Sequence, residues 1–347
     1  MNAAPSRQTR VLSATAAGAV DRAVELLAAG EVVALPTETV YGLAADAASA
    51  RAVANIFEAK ERPRSDPLIV HLPSPAWLEE IALLAGGQAD LARRLASQFW
   101  PGPLTLVLPR RPGAVDDLVT AGSSHIAVRM SAHPVFSAVI GKLDRPLAAP
   151  SANRFGRISP TTAAHVLTEL GGRIPLILDG GRTPHGLEST IVAPGEDGLS
   201  WRIFRHGPVT EEMLAGLGGA SLPGSLDAVL AAPGQMAAHY APRTPLVLVE
   251  RSWLDRDRPR DETARSGLLG FRRDRPPGPA VFGHIEYLSQ AGDLPEAAAN
   301  LFAALRRLDE TGVQRIFAER VPETGLGRAI MERLIRAAAG SGCSGGP

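Results

Sequence analysis

Six short polar clusters interrupt an otherwise apolar chain, and each carries side chains able to handle a small charged ligand. Pro36-Thr37-Glu38-Thr39-Val40-Tyr41-Gly42-Leu43 follows the apolar run EVVALP directly. Loops at strand ends commonly present ligand groups, so this set could bind a small polar molecule; equally, its hydroxyls could cap a turn. Lys60-Glu61-Arg62-Pro63-Arg64 closes a helical pattern. Cations settle there against the helix dipole, but a Lys-x-Arg pair also suits a polyphosphate, with lysine as point charge and arginine as planar fork. The chain holds 36 Lys+Arg, of which only Lys60 and Lys142 are lysine. Against that arginine background, Lys60 points to a chemical role and is expected to be accessible in an empty cleft. Ala148-Ala149-Pro150-Ser151-Ala152-Asn153 combines small residues with donors and acceptors. Asp179-Gly180-Gly181, with Gly186 to Thr190 after it, permits a tight turn or a close ligand. Arg205-His206-Gly207-Pro208 and His239-Tyr240-Ala241-Pro242 complete the set.

Several chemistries are disfavoured. His71 stands alone in an apolar run, a setting typical of a structural histidine, and no His/Cys/Asp spacing suits zinc. The one cysteine, Cys343, lies in a Gly/Ser-rich tail, so neither a disulfide framework nor a cysteine metal site is expected. There is no GxSxG elbow, no GxGxxG and no GxxxxGK[ST]. Lys+Arg and Asp+Glu are equal at 36 each, which counts against a chain built around nucleic-acid phosphates. No signal-like segment and no long apolar run is evident, so a cytoplasmic protein is expected.

The elements that must position these clusters are short. Helical patterns cover 16–29, about 50–60 with Ser49 as cap, 75–85, 88–98, 134–141, 161–170 with Ser159 as cap, and 210–216. Strands are predicted at EVVALP, 68–72, 104–109, 125–130, 176–179, 189–192 and 201–204. This mixture predicts one α/β domain over 10–217, too irregular for a doubly wound nucleotide fold. The Gly/Pro/Ala-rich stretch 218–245 reads as a linker. Strands at 246–250, 267–271, 280–283 and 315–321, with helices at 293–309 and 326–338, predict a second, smaller domain over 246–340.

Taken in order, PTETVYGL, FEAKERP, DPLIVH, FWPGPLTLVL, IAVRM, APSAN, SPTTA, DGG, ESTI and HGPVT closely resemble the YrdC-like threonylcarbamoyl-AMP synthases. PGQMAAHYAP and the segment after it resemble the longer, two-domain type, and the likeness covers about 15–340. It implies a YrdC-like twisted, open α/β sheet with a deep cleft, then a smaller Rossmann-like C-terminal domain. It also implies a reaction in which L-threonine, bicarbonate and ATP, with Mg²⁺, give threonylcarbamoyl-AMP and pyrophosphate. A downstream transferase then modifies adenosine 37 of tRNA.

Carried onto this chain, the family's threonine contacts fall on Thr39, His71, Arg129, Ala149 and Ser189. Its ATP contacts fall on Arg62, Asp66, His125, Ser151, Asn153, Ser159, Arg205 and Tyr240, with Lys60 and Arg62 as the catalytic pair. His125 replaces a small hydroxyl residue, Asp66 an asparagine found in related chains, and Arg205-His206 an Arg-Pro. The resemblance further implies that Arg129 holds the threonine carboxylate through a two-pronged pair, that Lys60, Arg62 and Arg205 offset phosphate charge, and that Tyr240 closes the cleft as a lid. Two competing readings are an RNA-binding module, which the zero net charge opposes, and a carbamoyl-transfer enzyme of the hydrogenase-maturation type. The latter carries cysteine zinc modules that one cysteine cannot supply.

Overall fold

A computed structural model describes residues 8–222, 239–256, 259, 263–278 and 281–340. The chain forms two compact units; the second begins near residue 236 and also takes in 156–159 and 185–187.

The first unit is built on an eleven-stranded sheet. Its strands are β1 (Arg10–Ser13), β2 (Val33–Leu35), β3 (Gly42–Asp46), β4 (Ile69–His71), β5 (Leu104–Pro109), β6 (His125–Arg129), β7 (Leu147–Ala148), β8 (Leu176–Asp179), β9 (Thr190–Pro194), β10 (Ser200–Arg205) and β11 (Ala220–Ser221). They are ordered β1-β8-β2-β3-β7-β4-β6-β5-β9-β10-β11. The two-residue β7 pairs antiparallel with β3 on one side and β4 on the other, and so joins the two halves. β3 and β4 are buried throughout, which is why their sequences run apolar without alternation.

Local signals explain the helices. Ser49 caps the helix Ala50–Lys60 by accepting from Ala52 N at 3.3 Å. Val53, Ile56 and Phe57 are turned into the core, as their helical spacing predicts. Pro134 opens the helix Pro134–Leu143, with His133 as a side-chain cap. Elsewhere the pattern misplaced boundaries. The helix predicted at 161–170 spans Ala163–Leu170 and is capped by Thr162, whose hydroxyl accepts from His165 N; Ser159 is not the cap. The helix predicted at 75–85 is the single turn Trp77–Ile81.

In the second unit, β12 (Leu246–Val249), β13 (Ser266–Arg272), β14 (His284–Ser289) and β15 (Arg315–Glu319) form a parallel sheet ordered β12-β15-β13-β14. Helices Leu294–Glu310 and Leu326–Gly340 accompany it, giving the Rossmann-like arrangement. The strand predicted at 280–283 instead forms at His284–Ser289, after Gly283.

Candidate functional site

The sheet register gathers residues that lie far apart in the chain. β4 and β6 run parallel with His71 opposite Arg129, each the last residue of its strand. On the other side of β6, the antiparallel β5 pairs Leu106 with Val128, which brings Thr105 level with Arg129. Thr105 Oγ1 lies 2.8 Å from Ser189 Oγ, immediately before β9. His71, Arg129 and Ser189 therefore fall along one row of the sheet.

The loop between β2 and β3 adds Thr39. Thr37 Oγ1 donates to Val40 O at 2.6 Å and accepts from Thr39 N and Val40 N. The loop is thus fixed by its own hydroxyl, and the capped-turn reading of this cluster is realised. Arg129 is 3% exposed. Its Nη1 donates to Thr39 Oγ1 at 3.2 Å, while Nη2 forms a close ion pair with Glu38 Oε1. The other Glu38 oxygen accepts from Ser131 Oγ at 2.5 Å and from Ala132 N at 3.2 Å.

Two buried polar atoms here have no protein partner: Arg129 Nε and His71 Nδ1. Leaving such a group unpaired costs about 1–3 kcal/mol, so each of these neighbouring atoms has capacity for a polar partner. The His71 ring lies 4.4 Å from that of Phe136. Burial, then the charge of Arg129, hold the imidazole pKa well below its ordinary value, so the ring is neutral at neutral pH. A neutral imidazole beside a guanidinium with an open N–H suits a small carboxylate ligand.

The Lys60 group is different. Lys60 is 1% exposed, against the expectation of an accessible side chain. Its Nζ donates to Ser151 O at 2.6 Å and Asn153 O at 2.5 Å, so the ammonium binds the backbone of the Ser-x-Asn segment. Burial, and secondarily Arg62, push its pKa well below the usual lysine range. Arg62 donates to Asp66 O at 3.1 Å and Pro67 O at 2.8 Å, and pairs with Asp66 Oδ2 at 2.9 Å. These residues lead into β4 at the end where β6 begins with His125. His125 is half-buried, with Nδ1 3.1 Å from Ser124 Oγ, and burial lowers its pKa. The structure thus groups Lys60, Arg62, Asp66, Ser151 and Asn153.

Arg205 stands apart from that group. Its Nε donates to Ser189 O and its Nη2 to Ser189 Oγ, both at 3.0 Å, which ties it to the Arg129 row. Ala149 donates its N–H to Ile69 O at 2.9 Å, two residues before His71. Ser159 and Tyr240 belong to the second unit. There Tyr240 is buried at φ 62°, stacked 5.6 Å from Phe302, with the Arg333 guanidinium 5.5 Å from its ring centroid. Most of the linker, 223–238, lies outside the described residues.

Sequence reasoning missed the partners that organise this row: Glu38, Ser131 and Thr105. Glu38 was visible in the first cluster, but its cation stands 91 residues away. Among the described residues, no three His, Cys, Asp or Glu side chains come together to cage a metal. A magnesium ion arriving on nucleotide phosphates needs only one or two carboxylates. Asp66, beside Arg62, fits that requirement.

A mixed α/β sheet that carries a buried guanidinium–imidazole row is followed in this chain by a small parallel-sheet unit. Residues 25–207 match the Sua5/YciO/YrdC family model, described as "Telomere recombination", and 209–339 match "Threonylcarbamoyl-AMP synthase, C-terminal domain". The chain belongs to this family. It is 40% identical over 330 residues to threonylcarbamoyl-AMP synthase of Bacillus subtilis, covering 92% of this chain and 93% of that protein. It is 41% identical over 322 residues to that of Pyrococcus abyssi, covering 89% and 90%. The crystal structure of P. abyssi Sua5 complexed with L-threonine matches with a TM-score of 0.80 at 36% identity, over 96% of this chain and 97% of that one.

Proposed function

We propose that this chain is a threonylcarbamoyl-AMP synthase, a nucleotidyltransferase that joins L-threonine, bicarbonate and ATP. The observation that carries the proposal is the row of Thr39, His71, Arg129 and Ser189. It holds two buried, unpartnered polar atoms in a chain similar along nearly its whole length to a structure that binds L-threonine.

In this reading Arg129 Nε and the remaining guanidinium N–H groups meet the threonine carboxylate. Thr39 and Ser189 read the hydroxyl and amine. The threonine amine and bicarbonate give a carbamate and water. A carbamate oxygen then attacks the α-phosphorus of ATP, the α–β bond breaks, and pyrophosphate leaves. Arg62 and Arg205 supply positive charge toward the phosphates. Lys60 shapes the Ser151–Asn153 backbone beside them. Asp66 would hold the magnesium ion that comes with the nucleotide, and the ion would supply further neutralisation of that charge. His125 completes the nucleotide contacts of the first unit. The enzyme is cytoplasmic, in keeping with the absence among the described residues of any helix long and apolar enough to cross a membrane. Its labile product passes to a transferase acting on tRNA adenosine 37.

Mass spectrometry of the products from ATP, L-threonine and ¹³C-bicarbonate tests this. A labelled threonylcarbamoyl-adenylate with stoichiometric pyrophosphate is expected. ATP turnover that yields AMP with no label incorporated overturns the reading.

A further inference from the structure

The geometry points to Glu38 as a positioning and specificity-determining residue: by pairing with Arg129 it cancels that residue's charge, so that the site selects a zwitterion over a simple carboxylic acid. This inference rests on the amino-acid reading of the pocket given above. Glu38 is 5% exposed, and its carboxylate is held from three directions, by Arg129 Nη2, Ser131 Oγ and Ala132 N. With Nη2 on Glu38 and Nη1 on Thr39, the guanidinium is fixed in the pose that leaves Nε open.

The charges facing this site are few. Arg129 and Glu38 cancel, and Arg205 is turned onto Ser189 O and Oγ. His71 is neutral at neutral pH because burial and Arg129 lower its pKa. His133, on the helix start beside Ser131, has its pKa lowered by burial, an effect that Glu38 opposes. A zwitterionic amino acid adds no net charge to such a pocket. A hydroxy acid without the ammonium group adds a buried anion whose facing cation, Arg129, is already paired with Glu38, which is disfavoured. Glu38 thus acts through Arg129 and through the field of the pocket, as a device against the wrong ligand.

Titration calorimetry with L-threonine and with 3-hydroxybutyrate, which lacks only the amine, tests this on the full chain. The wild type should bind threonine at least about a hundredfold tighter than 3-hydroxybutyrate. Glu38→Gln keeps the size of the side chain and removes its charge; it should weaken threonine about tenfold, tighten 3-hydroxybutyrate, and narrow the ratio to about tenfold or less. Glu38→Asp keeps the charge on a shorter arm; it should lose affinity for threonine and retain the discrimination. Should Glu38→Gln not fold, Glu38→Asp still decides, because loss of discrimination there overturns the inference. An unchanged ratio in Glu38→Gln also overturns it. A wild type that binds no threonine would instead defeat the amino-acid reading itself.

Discussion

The Arg129 row and the Lys60 group are both buried cationic clusters, yet they are satisfied in opposite ways. Lys60 spends its donors on the backbone carbonyls of Ser151 and Asn153. Arg129 and His71 each leave a buried nitrogen without a protein partner. A cation fully engaged with backbone holds a segment in place. A cation oriented by neighbours but left partly open is ready for a ligand without further rearrangement. The rarity of lysine drew attention to Lys60, whose Nζ is engaged with the chain's own carbonyls.

The sharpest way to break this contrast is Arg129→Gln. It removes the open donor and strands Glu38, and should lower kcat/KM for threonine about a thousandfold, since truncating a buried hydrogen-bonded charge pair costs about 2–5 kcal/mol. Steady-state pyrophosphate release gives the number; a loss under tenfold would remove Arg129 from the pocket. Substrate analogues sharpen the same side. Hydroxyl-reading groups reject a ligand lacking the hydroxyl far more than one lacking a methyl. Turnover of 2-aminobutyrate should fall below that of threonine by about a thousandfold, and of serine by about ten- to a hundredfold. Equal turnover of threonine and 2-aminobutyrate would refute a polar reading of the side chain.

On the other side, Lys60→Met leaves two buried carbonyls unpaired and should destabilise the fold by about 2 kcal/mol, lowering Tm by about 4–8 °C. An unchanged Tm with pyrophosphate release slowed about a hundredfold or more would restore direct phosphate contact. The smallest expected effect is on pH dependence. The His71 pKa is depressed on folding, so the unfolded chain binds the extra proton first. Stability is full above the unfolded histidine value of about 6.5 and falls with pH below it, by up to about 1.4 kcal/mol per unit. Urea unfolding at about pH 7.5 and 5.5 should show a shallower loss in His71→Gln. Part of the slope remains there, because His125 and His133 are shifted the same way. An identical slope would mean that His71 is not buried as a neutral ring.

Much of the first unit could be read from local signals. The Ser49 cap, the Val53–Ile56–Phe57 face and Pro134 at a helix start each act within one turn. β3 was not legible, because Gly42-Leu43-Ala44-Ala45-Asp46 has little intrinsic strand preference and is extended only by pairing with β2 and β7. The burial of Lys60 was hidden for a related reason: the carbonyls that bind it come from residues 91 and 93 positions away. The resemblance to the YrdC-like family named Thr39, His71, Arg129 and Ser189 together; the register of β4, β5, β6 and β9 gathers the last three, and the loop between β2 and β3 adds Thr39. Nothing local could show that Glu38 would pair with one member of that set, or that Arg205 would bind Ser189.

The central claim, that an amino acid is received where β4 and β6 end and not where they begin, is tested most directly within one strand. Arg129 ends β6 and His125 starts it, about 13 Å away at roughly 3.3 Å per residue. Calorimetric titration of L-threonine into the wild type, Arg129→Gln and His125→Ala should show binding lost in the first variant. In the second it should stay within about threefold of wild type, a change under about 0.7 kcal/mol. Threonine binding that survives Arg129→Gln and disappears in His125→Ala would contradict the account.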